Sequence, residues 1–158
     1  MNIILLSGGS GKRLWPLSND IRSKQFIKLF KDDNGNYESM VQRVYRQITT
    51  VNPMVKVTVA TSKNQVSVIK SQLGEKINIC VEPSRRDTFP AILLAAAYIH
   101  YELGIGVEEC IAVCPVDPYV DNDYYKCVGE LENLVEAGTA NLTLMGIKPT
   151  YPSDKYGY

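Results

Sequence analysis

The chain has 158 residues, within the roughly 100–200 that make one domain, and its 17 basic and 17 acidic side chains cancel. Zero net charge excludes a global field that would steer it to nucleic acid or an anionic membrane, so any anion binding is local to particular loops. The opening Ile3-Ile4-Leu5-Leu6 run has no basic flank and is cut by Gly8-Gly9, and Ala91–Ile99 falls far short of the ~20 residues of a membrane span, so the reading is one soluble, cytoplasmic domain over 1–158.

Taken in chain order, Asn2–Leu6 reads as a buried strand. It runs into the stretch LSGGSGKRLWPLS at residues 6–18. Lys31–Asn36 is a polar turn whose acidic pair reads as solvated. In Glu38–Val51 the apolar residues Met40, Val41, Val44, Tyr45 and Ile48 recur at three- and four-residue steps, which predicts a helix with Tyr37 or Ser39 near its start. Further strands are predicted at Lys56–Ala60, Ile77–Val81, Cys110–Cys114 and Asn141–Gly146, and further helices at Lys63–Leu73, Phe89–Leu103 and Asn122–Ala137. Strands alternating with helices predict an α/β fold: a Rossmann-like, doubly wound, mostly parallel sheet with helices on both faces. Such sheets take ligands outside the carboxyl ends of their strands, so functional residues should follow strands. The final KPTYPSDKYGY carries no closing helix, and the expectation is a domain truncated at its C-terminus.

The cysteines, Cys80, Cys110, Cys114 and Cys127, form no C-x-x-C, and Cys110 and Cys114 lie ~13 Å apart along a strand, too far to share a zinc. They read as buried, reduced thiols. His100, at the end of an apolar helix, has no acidic or thiol partner at ligand spacing and reads as incidental.

Three phosphate-binding loops compete for the stretch after the first strand. A G-x-x-x-x-G-K-[ST] loop fails because Leu6 replaces its first glycine and Arg13 its magnesium-binding hydroxyl. The dinucleotide G-x-G-x-x-G begins at Gly9-Ser10-Gly11, but Leu14 takes the place of the last glycine and Trp15-Pro16 interrupts the entry to a helix. A backbone nest remains, with N–H groups converging on an anion, Arg13 gripping phosphate oxygens and Lys24 adding a compact charge. A solvated, glycine-rich strand exit is the alternative.

LSGGSGKRLWPLS followed by SKQF resembles the G-G-x-G-x-R-L-x-P-L…P-K signature of the sugar nucleotidyltransferase family, and within it the mannose-1-phosphate guanylyltransferases. EPSRRDTFPAILLAAAYI from Glu82 is similar to the family's E-P-x-x-R-[ND]-T-x-P-A-I-x-x-A-A segment, CPVDPYV from Cys114 to its P-x-D-H-x-[IV] loop, and YPSDKYGY to its Y-P-x-T-G-Y-G-Y element. The four blocks stand in the family's order and cover nearly the whole chain.

The resemblance implies transfer of a guanylyl group from GTP to mannose 1-phosphate, with pyrophosphate leaving and Mg2+ as cofactor. It implies that Gly8, Gly9, Ser10, Gly11 and Lys12 hold the triphosphate, that Arg13 neutralises the leaving pyrophosphate and that Lys24 stabilises charge at the α-phosphate. Asp117, after the strand ending at Cys114, becomes the magnesium ligand; a plain strand-end turn before Pro118 is its other reading. Glu82, or the backbone of Arg86, Asp87 and Thr88, would read the guanine edge, with Leu6 and Gly8 lining the slot, unless Glu82 and Arg85-Arg86 are solvated surface residues. Tyr156 and Gly157 would contact the sugar.

Ser23 stands where the family has proline, a departure expected to loosen the loop carrying Lys24, and Pro118 stands where related guanylyltransferases have histidine. The family's E-K-P element and second metal-binding aspartate are not found, so the chain is expected to bind GTP weakly and to lack full activity, with self-association as a homo-oligomer open. A UTP- or dTTP-dependent relative, an NAD(P)-binding dehydrogenase module and a non-catalytic nucleotide-binding domain are the alternatives.

Overall fold

The computed structural model of the protein describes residues 1–9, 16–18 and 23–152. Strand β1 (Asn2–Leu6) lies in the middle of a four-stranded parallel sheet with β4 (Lys56–Ser62), β5 (Asn78–Glu82) and β6 (Ile111–Pro115), in the order β5-β4-β1-β6. From β1 the chain builds outward through β4 to β5, then crosses back to lay β6 on the other side of β1. The order therefore reverses between β1 and β6, and the carboxyl ends there flank the crevice such sheets use. Pro115 has a place in β6 because that strand is an edge among the described residues and needs no amide on its free side.

Successive side chains of a strand face opposite ways, and β1 uses both faces. Ile3 and Leu5 join Val41, Val44, Ile48, Val57, Val59 and Ile69 under α1 (Met40–Val51), α2 (Val66–Leu73) and α4 (Asn122–Glu136). Ile4 turns the other way and packs with Ala60, Cys80, Ala95 and Ile99 under α3 (Thr88–Tyr101). A strand apolar at consecutive positions is thus explained by two cores, and the predicted doubly wound α/β class holds.

Helix α1 begins later than its periodicity predicts because Tyr37–Ser39 is a strand, β3, paired antiparallel with β2 (Lys28–Lys31) across the Asp32–Asn36 turn. Asp32 closes that turn by accepting from the Asn34 and Asn36 amides at 2.9 and 2.8 Å. Ser39 ends the hairpin and caps the helix: its hydroxyl accepts from the Gln42 amide, while the Gln42 side chain accepts from the Ser39 amide. The same hydroxyl donates to Gln72 Oε1 of α2 at 2.6 Å. Ser39→Ala is expected to cost about 1 kcal/mol, read as a fall of roughly 2–4 °C in melting temperature with the fold unchanged by circular dichroism.

The predicted strand at Asn141–Gly146 does not form. No described strand pairs with it, and Leu142 and Leu144 stand about three-quarters exposed or more. An apolar run becomes a strand only where a neighbour receives its backbone hydrogen bonds, and β6 offers that segment no ladder. Cys127 also departs from the sequence reading: it lies exposed on α4, whereas Cys80 and Cys114 are buried, and burial pushes the Cys114 thiol up to about 11. His100 Nδ1 lies 2.7 Å from the Ile105 carbonyl, just beyond the end of α3. No helix among the described residues is long and apolar enough to cross a membrane.

Candidate functional site

The carboxyl ends of β1 and β5 and the first turn of α3 enclose a pocket of about 340 Å³ lined by Leu6, Gly8, Gly9, Glu82, Arg85, Asp87, Thr88 and Ala91. Six of the predicted nucleotide residues therefore meet in one place, although they come from segments far apart in the chain. Glu82 closes β5 and lies against the glycine loop so tightly that a Cβ on residue 8 would stand 2.6 Å from its Oε1. A larger residue at position 8 would have to push the Glu82 carboxylate aside, so glycine here serves the close approach rather than an unusual dihedral. Burial pushes the Glu82 carboxyl above the ordinary glutamate range, and the Arg85 guanidinium opposes the shift in part.

Asp87 is the one non-glycine residue with positive φ among the described residues, at φ 66° and ψ −168°. That region is reached almost only by glycine and costs on the order of 1–3 kcal/mol, a strain found mostly at ligand sites. Its side chain makes no capping bond to α3, so the strained backbone is not offset by an ordinary helix cap. Arg86 is not part of the lining. Its Nε lies 3.4 Å from Ser84 Oγ, and Arg85 takes the place at the pocket that the sequence reading assigns to Arg86.

A second pair forms across the crevice. Lys24 Nζ donates to Asp117 Oδ2 at 2.9 Å, joining the 3₁₀ turn Lys24–Phe26 to the loop after β6. The two residues singled out for charge work thus stand together, 93 positions apart in sequence. The loop bearing Asp117 is pinned from α1: Arg43 Nη2 and Gln47 Nε2 both donate to the Val120 carbonyl, at 2.7 and 2.8 Å. Tyr119 lies between the Arg43 guanidinium, 4.5 Å from its ring centre, and the Phe30 ring at 5.5 Å. Arg43 and Gln47 carry no motif, and only their contact with the loop reveals them.

The glycine loop is held from beneath by Gln25 and Gln65, which sequence reading also misses. Gln65 Nε2 donates to Ser23 Oγ at 2.9 Å, and Ser23 is fully buried. The serine expected to loosen the Lys24 loop instead ties it down by a hydrogen bond that proline could not accept through a side chain. Ser10, Gly11, Lys12, Arg13, Tyr156 and Gly157 lie outside the described residues.

No group of three His, Cys, Asp or Glu side chains among the described residues could form a cage. Asp117, half-exposed and facing Lys24, offers one carboxylate, a donor type that suits magnesium where substrate phosphates supply other oxygens.

A parallel sheet whose strand order reverses beside a glycine loop, with a pocket and a Lys–Asp pair at its carboxyl edge, has the layout of nucleotide-binding α/β proteins. The chain matches the nucleotidyl transferase family over residues 2–158 and belongs to it. Among its relatives, it is 33% identical over 159 residues to a mannose-1-phosphate guanylyltransferase of Escherichia coli, covering 98% of this chain and 33% of the relative. It is also 33% identical over 158 residues to the xanthan biosynthesis protein XanB of Xanthomonas campestris pv. campestris strain B100, covering 98% and 32%. The chain thus spans about a third of the length of the curated relatives it matches.

Among solved structures it resembles a Thermus thermophilus protein described as a mannose-1-phosphate geranyltransferase, with TM-score 0.68 and 28% identity, over 87% of this chain and 38% of the other. The mannose-6-phosphate isomerase of Helicobacter pylori shares the fold at TM-score 0.59 and 20% identity, over 87% and 47%.

Proposed function

We propose that this chain binds GTP at the carboxyl edge of its sheet and carries the nucleotide side of guanylyl transfer to mannose 1-phosphate. The observation that supports the reading best is the convergence of Leu6, Gly8, Gly9, Glu82 and Thr88 on one pocket, beside a loop that Gln25 couples to Lys24. Guanine offers two adjacent donors, N1–H and the N2 amino group, and a carboxylate with two acceptor oxygens complements that edge; uracil and thymine present only one donor there. Glu82, which lines the pocket, is the carboxylate assigned to that edge.

In the proposed reaction a phosphate oxygen of the sugar 1-phosphate attacks the α-phosphorus of GTP. The new P–O bond forms as the bond to the β-phosphate oxygen breaks, and pyrophosphate leaves with the electron pair. The protein's work in such chemistry is in-line positioning and neutralisation of charge. Lys24 places an ammonium for the α-phosphate, Arg13 serves the departing pyrophosphate, and the backbone amides of Gly8, Gly9, Ser10 and Gly11, with Lys12, receive the triphosphate. Asp117 would hold a magnesium ion, which would supply positive charge to offset that of the phosphates. Tyr156 and Gly157 are assigned to the sugar by the family resemblance.

The test is a thermal-shift panel of GTP, ATP, UTP, dTTP and NAD, each with magnesium. GTP is expected to give the largest rise, about 2.7 kcal/mol of added stability at a hundred times its dissociation constant. A larger response to UTP or dTTP would move the assignment within the family, and a response to NAD alone would overturn it.

A further inference from the structure

Buried amide groups that take no part in the chemistry above converge on the backbone of the glycine loop. Gln25 Nε2 donates to the Ser7 carbonyl at 2.8 Å and to the Gly9 carbonyl at 3.3 Å. Gln65 Nε2 reaches the same Gly9 carbonyl at 3.3 Å, while its Oε1 accepts from the Thr61 hydroxyl at 2.7 Å. With the Ser23 hydroxyl bonded to Gln65, one network joins the loop after β1, the turn bearing Lys24, the end of β4 and the 3₁₀ turn Lys63–Gln65.

Peptide geometry gives this network a direction. In a planar trans peptide the carbonyl and the following N–H point opposite ways. Holding the Ser7 carbonyl on Gln25 therefore turns the Gly8 N–H away from the buried amide. A nest receives an anion only if its N–H groups gather on one side, and the carbonyls must then be retained on the other. Gln25 and Gln65 retain them.

The arrangement carries a cost that packing does not explain. Gln25 Oε1 and Ser7 Oγ are buried with no hydrogen-bond partner among the described residues. A methionine or leucine at residue 25 would fill similar space without stranding an oxygen, so what explains the amide is the pair of carbonyls its nitrogen holds. Because Gln25 is turned inward, its neighbour Lys24 is left facing Asp117, and the same anchor sets the register between the loop and that cation.

We propose that Gln25 and Gln65 are positioning residues that fix the start of the glycine loop, Ser7–Gly9, before any ligand arrives, with the Gly8 N–H turned away from the buried amides to meet an anion. The inference rests on the reading of that loop as a nucleotide phosphate site. Gln25→Met and Gln65→Met keep side-chain length and remove the donors. In 15N-labelled ligand-free protein, each variant is expected to lower the order parameters of the Gly8 and Gly9 amides from about 0.85 toward 0.6, with Leu5 and Val59 unchanged. Calorimetric titration with magnesium-GTP should show affinity falling about tenfold in each.

Unchanged Gly8 and Gly9 amides in a folded variant would overturn the proposal, as would loosened amides with undiminished affinity. If Gln25→Met does not fold, Gln65→Met decides; if neither folds, the glutamines are core residues and the positioning role is lost. If the unmodified protein binds no nucleotide, the functional reading fails instead, and the amide measurements still decide whether the glutamines hold the loop.

Discussion

Asp117→Asn is expected to remove the magnesium-dependent part of GTP affinity, about ten- to hundredfold, while moving the melting temperature by no more than about 3 °C. The two effects separate because the Lys24–Asp117 pair is open to solvent on its acidic side, and pairs of that kind contribute at most about 1 kcal/mol to folding. A contact between an ionised group and its ligand is worth more, about 1.5–3 kcal/mol, because the partner is left uncompensated when it goes. Lys24→Ala should weaken GTP by a similar factor with magnesium or without it, since the ammonium addresses phosphate directly. A pair serving only as a strut between the two loops would behave differently: both variants would lower the melting temperature alike, and neither would alter nucleotide affinity. Calorimetric titration with and without magnesium distinguishes the two cases.

The frame of this site was legible because its parts obey local rules. β1 and β4 are continuously apolar or β-branched, as strands covered on both faces are, β5 and β6 are apolar with Val81 and Val113 partly exposed, and Gly8, Glu82 and Asp117 fall where these strands end. The hairpin Lys28–Ser39 was not legible as strands because Lys28–Lys31 is short, half lysine and mostly exposed, so only its Asp32–Asn36 turn carried a signal. Asn141–Gly146 misled in the opposite sense, since its apolar run is real and its pairing partner is not. Gln25 and Gln65 carry neither charge nor periodicity, and their function exists only through contacts 16 to 56 positions away. Arg85 rather than Arg86 lines the pocket, next to Asp87, whose positive φ lies in a region that residue-type rules give to glycine.

Glu82→Gln is expected to make the protein more stable and a poorer GTP binder at once. The carboxylate is buried where its charge is disfavoured, and its pKa is raised by that burial with partial relief from Arg85. Between the ordinary glutamate value and the raised folded one, the folded chain holds more of this proton than the unfolded chain does. Stability therefore falls as pH rises through that window, and the whole penalty stands at neutral pH. A neutral amide of the same shape removes it, for a gain of roughly 0.5–2 kcal/mol at pH 7, the range usual when a functional site is relieved. The gain should shrink as pH is lowered through the window, because both proteins then carry an uncharged group at position 82. Binding moves the other way: a glutamine can accept from guanine N1–H, but its own NH2 then faces the N2 donors, so affinity should drop ten- to hundredfold, about the 1.5–3 kcal/mol of a charged hydrogen bond. Melting curves across the acidic range with matched GTP titrations check both halves. Lower stability at pH 7 would refute the burial penalty, and undiminished preference for GTP over UTP would remove Glu82 from base recognition.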